Sequence, residues 1–225
     1  MRRRASAPAG ALRTGSGVPV LAALAMAGVP ACFGYAAPTA FGIPHAPPMT
    51  PETAALMADY NRWMNQRLYA AALTLPDGEV RRDAGAFFGS LLGTLNHIAA
   101  GDTIWLHRFA GLPGDTVLGP GLQGCPCPES LRQPMASSLG ALQAYRARLD
   151  DLIVCWAATL TPARLEAALG FRSMAGQART MKAAHLVQHF FNHQTHHRGQ
   201  ASTLLFQAGV DVGVTDLIGV IPDGA

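Results

Sequence analysis

Apolar residues recur every three to four positions in four long stretches of this chain, a pattern typical of amphipathic helices. The predicted helices cover about residues 51–74, 83–109, 139–160 and 181–208. A connection rich in glycine and proline, about residues 110–136, separates the second helix from the third. Four amphipathic helices with one long connection predict an all-α protein, a four-helix bundle.

Capping signals mark the ends of these helices. Thr50 directly before Pro51 suits an N-cap followed by proline in the first turn. Either Ser137 or Ser138 suits the cap of the third helix. Gly209 suits the end of the fourth helix, since glycine readily takes the left-handed conformation found there. These signals support the boundaries that the apolar pattern predicts.

Three places depart from a simple pattern of four helices. Leu75–Gly78 has the sequence LPDG, which predicts a turn after the first helix. Arg146 occupies an otherwise apolar position of the third helix. The segment Leu165–Thr180 is short and contains two glycines, so it predicts either two short strands or an irregular excursion.

Five histidines lie on the fourth predicted helix. With about 100° between successive residues, His193 and His197 lie one turn apart on its apolar face. Two imidazoles at this spacing on a rigid helix can bind one divalent cation. Gln200 falls on the same side and is a candidate partner for a ligand. The other three histidines lie on the flank of this face: His185, His189 and His196.

A further histidine, His97, lies in the second helix at the edge of its apolar face, among small residues such as Gly93 and Gly101. Small neighbours leave room for a ligand or a water molecule. The spacing alone leaves two interpretations open, a surface histidine or part of a site. Asp102 projects about 140° away from His97, so it is a poor partner for the same cation.

The histidine pair differs from that of zinc peptidases, because Gln194 stands where their catalytic glutamate follows the first histidine. The run Asn192–Gln200, with the sequence NHQTHHRGQ, instead looks like the signature of the DinB family. This family of damage-inducible-type proteins belongs to the DinB/YfiT-like metalloenzyme superfamily. Supporting segments are Asp59–Trp63 (DYNRW) and Gly89–Trp105, which contains LNH and DTIW. The resemblance covers about residues 49–214.

The resemblance implies an up-down-down-up bundle, a homodimer and a metal site of three histidines. Carried over to this chain, the ligands are His97, His193 and His197, with His196 as a flanking residue. Imidazole ligands suit a divalent cation such as zinc or nickel. Three histidines with an open position are typical of a catalytic metal site rather than a structural one.

The resemblance also implies a function. The first hypothesis is a metal-dependent enzyme, a transferase or hydrolase, since some relatives use a low-molecular-weight thiol as cosubstrate. The second is a non-enzymatic metal-binding stress-response protein, because no side chain stands out as a general base. The third is a purely structural bundle whose histidines are satisfied in the core. Under the first hypothesis, a small molecule other than a thiol is also a candidate substrate.

Composition argues against a nucleic-acid partner. The chain is 49% hydrophobic and 14% charged, which is typical of a globular protein. Residues 1–48 carry four arginines and no acid, whereas residues 49–225 carry 13 basic and 14 acidic side chains. The domain is therefore close to neutral and has no basic stripe to bind phosphates.

Residues 1–48 differ in character from the rest of the chain. Three interpretations are open: a disordered tail, a secretory signal with small residues near Tyr35–Ala37, or an extension that precedes a true start at Met49. The third interpretation is favoured. Pro19 and Pro30 interrupt their apolar stretch, so a stable membrane span is not expected. We expect a cytoplasmic protein, or an exported one if the signal is genuine. The bundle is predicted over residues 49–214, followed by a C-terminal tail, 215–225.

Two of the four cysteines, Cys125 and Cys127, lie in the long connection as Cys-Pro-Cys-Pro. They could bind a metal or oxidise, but neither flank offers further ligands at metal spacing. A solvent-exposed loop with incidental thiols is the favoured interpretation.

Overall fold

The computed structural model describes residues 49–221 together with residues 223 and 224. The three interpretations of residues 1–48 fall outside these residues. In chain order the elements are α1 (Pro51–Ala72), α2 (Asp77–Arg81), α3 (Leu91–Phe109), α4 (Leu118–Gly121), α5 (Leu139–Ala157), α6 (Pro162–Glu166), β1 (Ala168–Arg172), β2 (Ala178–Lys182), α7 (Ala183–Gln207) and a 3₁₀ helix (Leu217–Val220). The four long helices, α1, α3, α5 and α7, form the predicted all-α bundle.

Side-chain caps begin three of the long helices. The Thr50 hydroxyl accepts a hydrogen bond from the backbone N–H of Thr53 at 3.1 Å, with Pro51 in the first turn as predicted. Ser138 caps α5 in the same way, which decides between the two serines that the sequence offered. Ser90 caps α3. Each cap satisfies one N–H that the first helical turn leaves without a partner.

The second long helix was expected to begin near Asp83, and this was wrong, because α3 begins only at Leu91. Gly85 and Gly89 have φ values of +66° and +80°, which a helix does not contain. The chain turns between them, and the apolar Phe88 therefore belongs to a loop instead of a helix. This loop, residues 83–90, is important for the site described below.

Two smaller departures concern the connections. The predicted turn at Leu75–Gly78 passes into the short helix α2. Of the two alternatives for the segment after Pro162, the structure shows strands: β1 and β2 form an antiparallel hairpin in which Ala168 pairs with Lys182 and Arg172 with Ala178.

The side-chain contacts fix the direction of each long helix. Contacting pairs from α3 are His97–His197 and Trp105–His189 toward α7, and Thr103–Tyr145 and Phe109–Trp156 toward α5. Thus α3 runs antiparallel to α7 and parallel to α5. Grooves between α1 and α7 are lined by Thr53 with His185 and by Met64 with Ser202, so these two helices run parallel. The order is up-down-down-up, as the resemblance implied.

Aromatic side chains pack together near the C-terminal ends of α3 and α5. Phe109 stacks on Trp156 with ring centroids 4.7 Å apart, and Phe190 meets Phe109 edge-on at 5.7 Å. All three are fully buried. Because they come from α3, α5 and α7, they hold these three helices together.

The chain after α7 returns along α1. The Tyr60 hydroxyl donates a 2.6 Å hydrogen bond to the carbonyl of Thr215, and Arg67 donates one of 3.0 Å to the carbonyl of Val212. Within the described residues, no helix combines the length and apolar character that crossing a bilayer requires.

Candidate metal centre

Three histidines from two helices meet between α3 and α7. His97 comes from the first half of α3, and His193 and His197 come from successive turns of α7. Since α3 and α7 are antiparallel, these positions come together although 100 residues separate His97 from His197. One ring nitrogen of each lies within 4.8 Å of those of the other two, close enough to share an ion.

Hydrogen bonds determine which nitrogens of His97 and His197 are free for a cation. His97 Nδ1 donates to the carbonyl of Leu131 at 2.9 Å, so its Nε2 carries a lone pair. His197 Nδ1 pairs with Gln200 Oε1 at 2.7 Å, which leaves its Nε2 as an acceptor too. The two Nε2 atoms lie 3.0 Å apart. Two facing lone pairs repel unless a cation lies between them.

The third imidazole, His193, packs against α3 at Gly101, a residue that has no side chain. A Cβ atom at Gly101 would lie 2.9 Å from His193 Cε1, closer than ordinary contacts allow. The His193 ring centroid is 4.4 Å from that of His197 and 5.2 Å from that of His97. Its Nδ1 is buried without a hydrogen-bond partner. The small residue noted beside His97 in the sequence thus makes room for His193.

All three imidazoles are neutral at neutral pH. Burial lowers the pKa of His97 to about 4 and that of His193 to about 3, and repulsion between protonated neighbouring histidines acts in the same direction. Burial also lowers the pKa of His197. A neutral imidazole is the form that binds metal, so protons do not compete for the site at pH 7.

The arrangement fits a divalent cation. Two imidazole nitrogens on one tetrahedral zinc ion lie about 3.3 Å apart, given bond lengths of about 2.0–2.1 Å. The 3.0 Å separation of the His97 and His197 Nε2 atoms is within a few tenths of an ångström of that value. The carbonyl of Leu131 and the side chain of Gln200 orient these two rings, which is the role of outer partners in metal sites.

Phe88 covers part of this centre. Its ring stacks on His97 at 3.8 Å and meets His197 edge-on at 5.6 Å. The guanidinium of Arg132 lies 5.2 Å from the same ring. Sequence reasoning missed Phe88 because it placed residues 83–90 in a helix. The pair of glycines at positions 85 and 89 was the available signal for a loop.

The remaining histidines of α7 lie outside the cluster. His196 is exposed and its ring packs on His197 at 4.7 Å, consistent with a flanking residue. His189 is exposed, with its ring 5.2 Å from Trp105 and 6.1 Å from His193. His185 is exposed one turn further away. The inward pair predicted from periodicity is therefore the pair that meets His97.

The Cys-Pro-Cys-Pro loop corrects one expectation. Cys127 is exposed, but Cys125 is buried, and its carbonyl accepts a 2.8 Å hydrogen bond from His107 Nε2. Both are free thiols. The expectation of a loop is met, but its first cysteine faces the core instead of solvent.

A buried polar network lies next to the histidines and was missed in the sequence. Arg146, the exception in the third helix, forms ion pairs with Asp102 of α3 and, at 3.0 Å, with Asp150. Asn61 of α1 donates to Asp150 at 3.1 Å and accepts from Arg198, the residue after His197. Asp102 thus belongs to this network and lies outside the histidine cluster. The network joins all four long helices.

Comparisons with known proteins agree with the sequence signature. A family model described as the DinB family matches residues 49–221. Protein DinB of Bacillus subtilis (strain 168) is 24% identical over 159 residues, which cover 70% of this chain and 87% of that protein. A crystal structure of a DinB-like protein from Bacillus cereus ATCC 10987 aligns at 20% identity with a TM-score of 0.46, covering 68% of this chain and 90% of that one.

Proposed function

Since the chain belongs to the DinB family, we propose that His97, His193 and His197 bind one divalent cation, zinc or nickel, and that the protein is a metal-dependent enzyme. The observation that carries the proposal is the pair of Nε2 lone pairs, 3.0 Å apart, in His97 and His197. Their partners on Nδ1 hold both rings in this orientation. This contact between two lone pairs is unfavourable for both imidazoles unless a cation lies between them.

A divalent cation on three imidazoles supplies Lewis-acid chemistry, such as lowering the pKa of a bound water or thiol. The chain's own residues shape the surroundings. Leu131 and Gln200 orient the ligands, and Phe88 keeps water from one side of His97. Gly101 leaves the space that His193 occupies.

The proposed reaction class is a transfer or hydrolysis in which a low-molecular-weight thiol or another small molecule is the substrate. The groups described in contact with the three imidazoles are carbonyl, amide, aromatic and imidazole groups. Because none of them is a carboxylate that would act as general base, we propose that the nucleophile is one that the cation itself would activate, a thiol or a water. We also propose a homodimer, which light scattering on the purified protein tests directly.

Metal content tests the site. The purified full-length chain should contain about one equivalent of divalent metal by elemental analysis. His97→Ala, His193→Ala and His197→Ala should each lose most of it, because two imidazoles hold a cation far more weakly than three. His185→Ala is the matched control: this histidine is exposed on the same helix, outside the cluster, and its loss should change nothing. A wild-type protein that takes up no metal would end the proposal.

Cobalt substitution tests the thiol. Binding of a thiolate to the metal should change the visible spectrum of the cobalt-substituted protein when candidate thiols are titrated in. An unchanged spectrum with every thiol would exclude the thiol-dependent version and leave hydrolysis or another small-molecule substrate to be screened.

The absence of a carboxylate among those contacting groups also favours a second candidate, a non-enzymatic metal-binding stress-response protein. In that case the metal is retained but no substrate turns over. Turnover in a broad screen that disappears in His193→Ala would exclude this candidate. The elemental analysis is common to both candidates and does not separate them.

A further inference from the structure

A cavity of about 470 Å³ opens beside Phe88, the residue that packs on His97. Phe88 packs its ring on His97 and also lines the cavity, so this one residue borders both the histidine cluster and the cavity. Asn96, the neighbour of His97 on α3, lines it too. Residues that define the cavity include Arg81, Phe88, Asn96, Arg132, Pro134 and Ser137. Through Phe88 the cavity adjoins the proposed metal centre, so a substrate of that centre has room to extend into it.

The charges lining the cavity are all positive. Arg81 and Arg132 are its only ionisable residues. Arg81 already pairs through its Nε with Asp77 at 2.6 Å, and its Nη2 donates to the carbonyl of Ser137 at 2.6 Å, which leaves its Nη1 for a ligand. Arg132 has no carboxylate within ion-pair distance in the part of the chain that the structure describes. Its guanidinium rests 5.0 Å from the Phe87 ring and donates one hydrogen bond to the Phe87 carbonyl, which leaves further N–H groups for an anion.

Two helix dipoles add to this positive potential. The parallel helices α3 and α5 both begin at this end of the bundle, and the cavity is lined by Ser90 before α3 and by Ser137 just before the cap of α5. The N-terminus of a long helix favours negative charge. The arginines and the helix starts therefore act in the same direction.

The rest of the lining is mainly apolar. Leu92, Pro134 and Ala136 contribute hydrocarbon surface, and Phe88 contributes an aromatic face. Asn96 uses its own polar atoms within the fold, since its Oδ1 accepts from the N–H groups of Met135 and Ala136. A ligand matched to this surface has an apolar body and a single negatively charged end. Guanidinium groups recognise a planar carboxylate well.

We propose that this cavity binds the carboxylate end and the apolar body of a small organic substrate, beside the three-histidine centre. The position of the substrate's reacting end at the metal rests on the proposed function. The binding of the carboxylate by Arg81 and Arg132 does not, because both arginines are present with or without a cation.

Calorimetric titration tests the proposal with two probes of the same shape, 4-phenylbutyrate and its neutral amide, 4-phenylbutyramide. Each is titrated into the full-length chain after metal removal and again after cobalt loading. The metal-free protein should bind the carboxylate about tenfold more tightly than the amide, the size expected for one charge-assisted hydrogen-bonded contact. Arg132→Gln and Arg81→Gln should each reduce that preference severalfold.

Arg82→Gln is the matched control. Arg82 is the neighbour of Arg81, is similarly exposed and pairs with Glu79 on the same short helix, but it does not line the cavity. Its replacement should leave the preference unchanged. All three arginines are exposed, so none of these variants should unfold the protein.

Three results would overturn the proposal: no preference for the carboxylate in the metal-free protein, a preference that survives both cavity variants, or a preference that appears only after cobalt loading. The last result would mean that the carboxylate binds the metal itself. A carboxylate preference in a protein that takes up no metal would instead refute only the proposed function.

Discussion

Glycine at position 101 shows how one residue determines whether the histidine cluster forms. The sequence indicated that His97 has small neighbours, yet the space beside Gly101 is occupied by the ring of His193 from another helix. By contrast, Gly199, which lies on α7 only two residues after His197, has open space where a Cβ would be. Two helical glycines near the same site thus have different roles.

We expect Gly101→Ala to weaken metal binding at least tenfold. The new Cβ would lie 2.9 Å from His193 Cε1, so the ring must move away from the other two imidazoles. A competition titration with a chromophoric chelator measures the affinity. Gly199→Ala is the control, and it should keep the affinity while raising the free energy of unfolding by about 0.5–1 kcal/mol, because alanine favours the helix. Equal affinities in the two variants would contradict the role of Gly101.

Gln200 is the second residue whose role can be tested alone. Its Oε1 lies 2.7 Å from His197 Nδ1 and fixes the ring so that Nε2 faces His97. Gln200→Ala should therefore reduce metal affinity by about 10–100-fold, as is usual for the outer partner of a histidine ligand. Gln200→Glu keeps an acceptor and should retain most of the affinity. If both variants bind metal like the wild type, the hydrogen bond does not orient His197.

At the scale of elements, the buried network decides how α7 sits against its neighbours. Arg146 of α5 reaches Asp102 of α3, and Asn61 of α1 joins Asp150 to Arg198 of α7. Removing one member of a buried ion pair typically costs about 3–5 kcal/mol, because the other charge stays buried without a partner. Since Arg198 directly follows His197, the network also fixes the register of the histidine face.

The pH dependence of stability tests the ionisation of Asp150. Burial raises its pKa to about 6 from an ordinary 3.8, against the opposing effect of Arg146. Between about pH 4 and pH 6 the folded protein therefore holds more protons at this carboxyl than the unfolded chain. This contribution to the free energy of unfolding falls as pH rises through that window, by up to about 1.4 kcal/mol per pH unit, and is constant above it.

Denaturant unfolding at several pH values from 4 to 7 measures the effect, with Asp150→Asn for comparison. The asparagine oxygen can still accept from Asn61 and Asn65, but it cannot ionise. The stability of the variant relative to the wild type should rise from pH 4 to pH 6 and then level off. Parallel stability curves for the two proteins would show that Asp150 ionises normally.

At the scale of the whole molecule, the proposed cation would tie together two helices that are far apart in sequence. His97 lies in the first half of the bundle and the other two ligands lie on its last helix. A ligand that binds only the folded state stabilises it by about 2.7 kcal/mol when present at 100 times its dissociation constant. The cation should therefore raise global stability as well as supply chemistry.

Chelation should lower the melting temperature of the metal-loaded protein by about 5–10 °C, which follows from that free energy and the size of the domain. Calorimetry with and without a chelator measures the shift. In His193→Ala the chelator should have almost no effect, since the site is already incomplete. A shift of the same size in this variant would indicate that the chelator removes metal from somewhere else.

The sequence by itself determined the presence of four long helices, the cap of the first one and the inward direction of His193 and His197. The helices and the direction of the histidines follow from apolar periodicity, and the cap follows from the residue directly before the helix. Both are local properties of the sequence. His97 was undecided by spacing, and only the family resemblance pointed to it. Its surroundings were misjudged because a run of apolar residues looks helical even where two glycines interrupt it.

Only the tertiary structure decided what the helices bring together. The antiparallel packing of α3 on α7 sets His97 against His197 across 100 residues of chain. In the sequence, Arg146 only interrupts a row of apolar positions. The structure explains it through two buried carboxylates, Asp102 on α3 and Asp150 one turn further along α5. The cavity with Arg132 depends on a loop meeting two helix starts. Contacts over such distances follow from packing, which no local pattern in the sequence encodes.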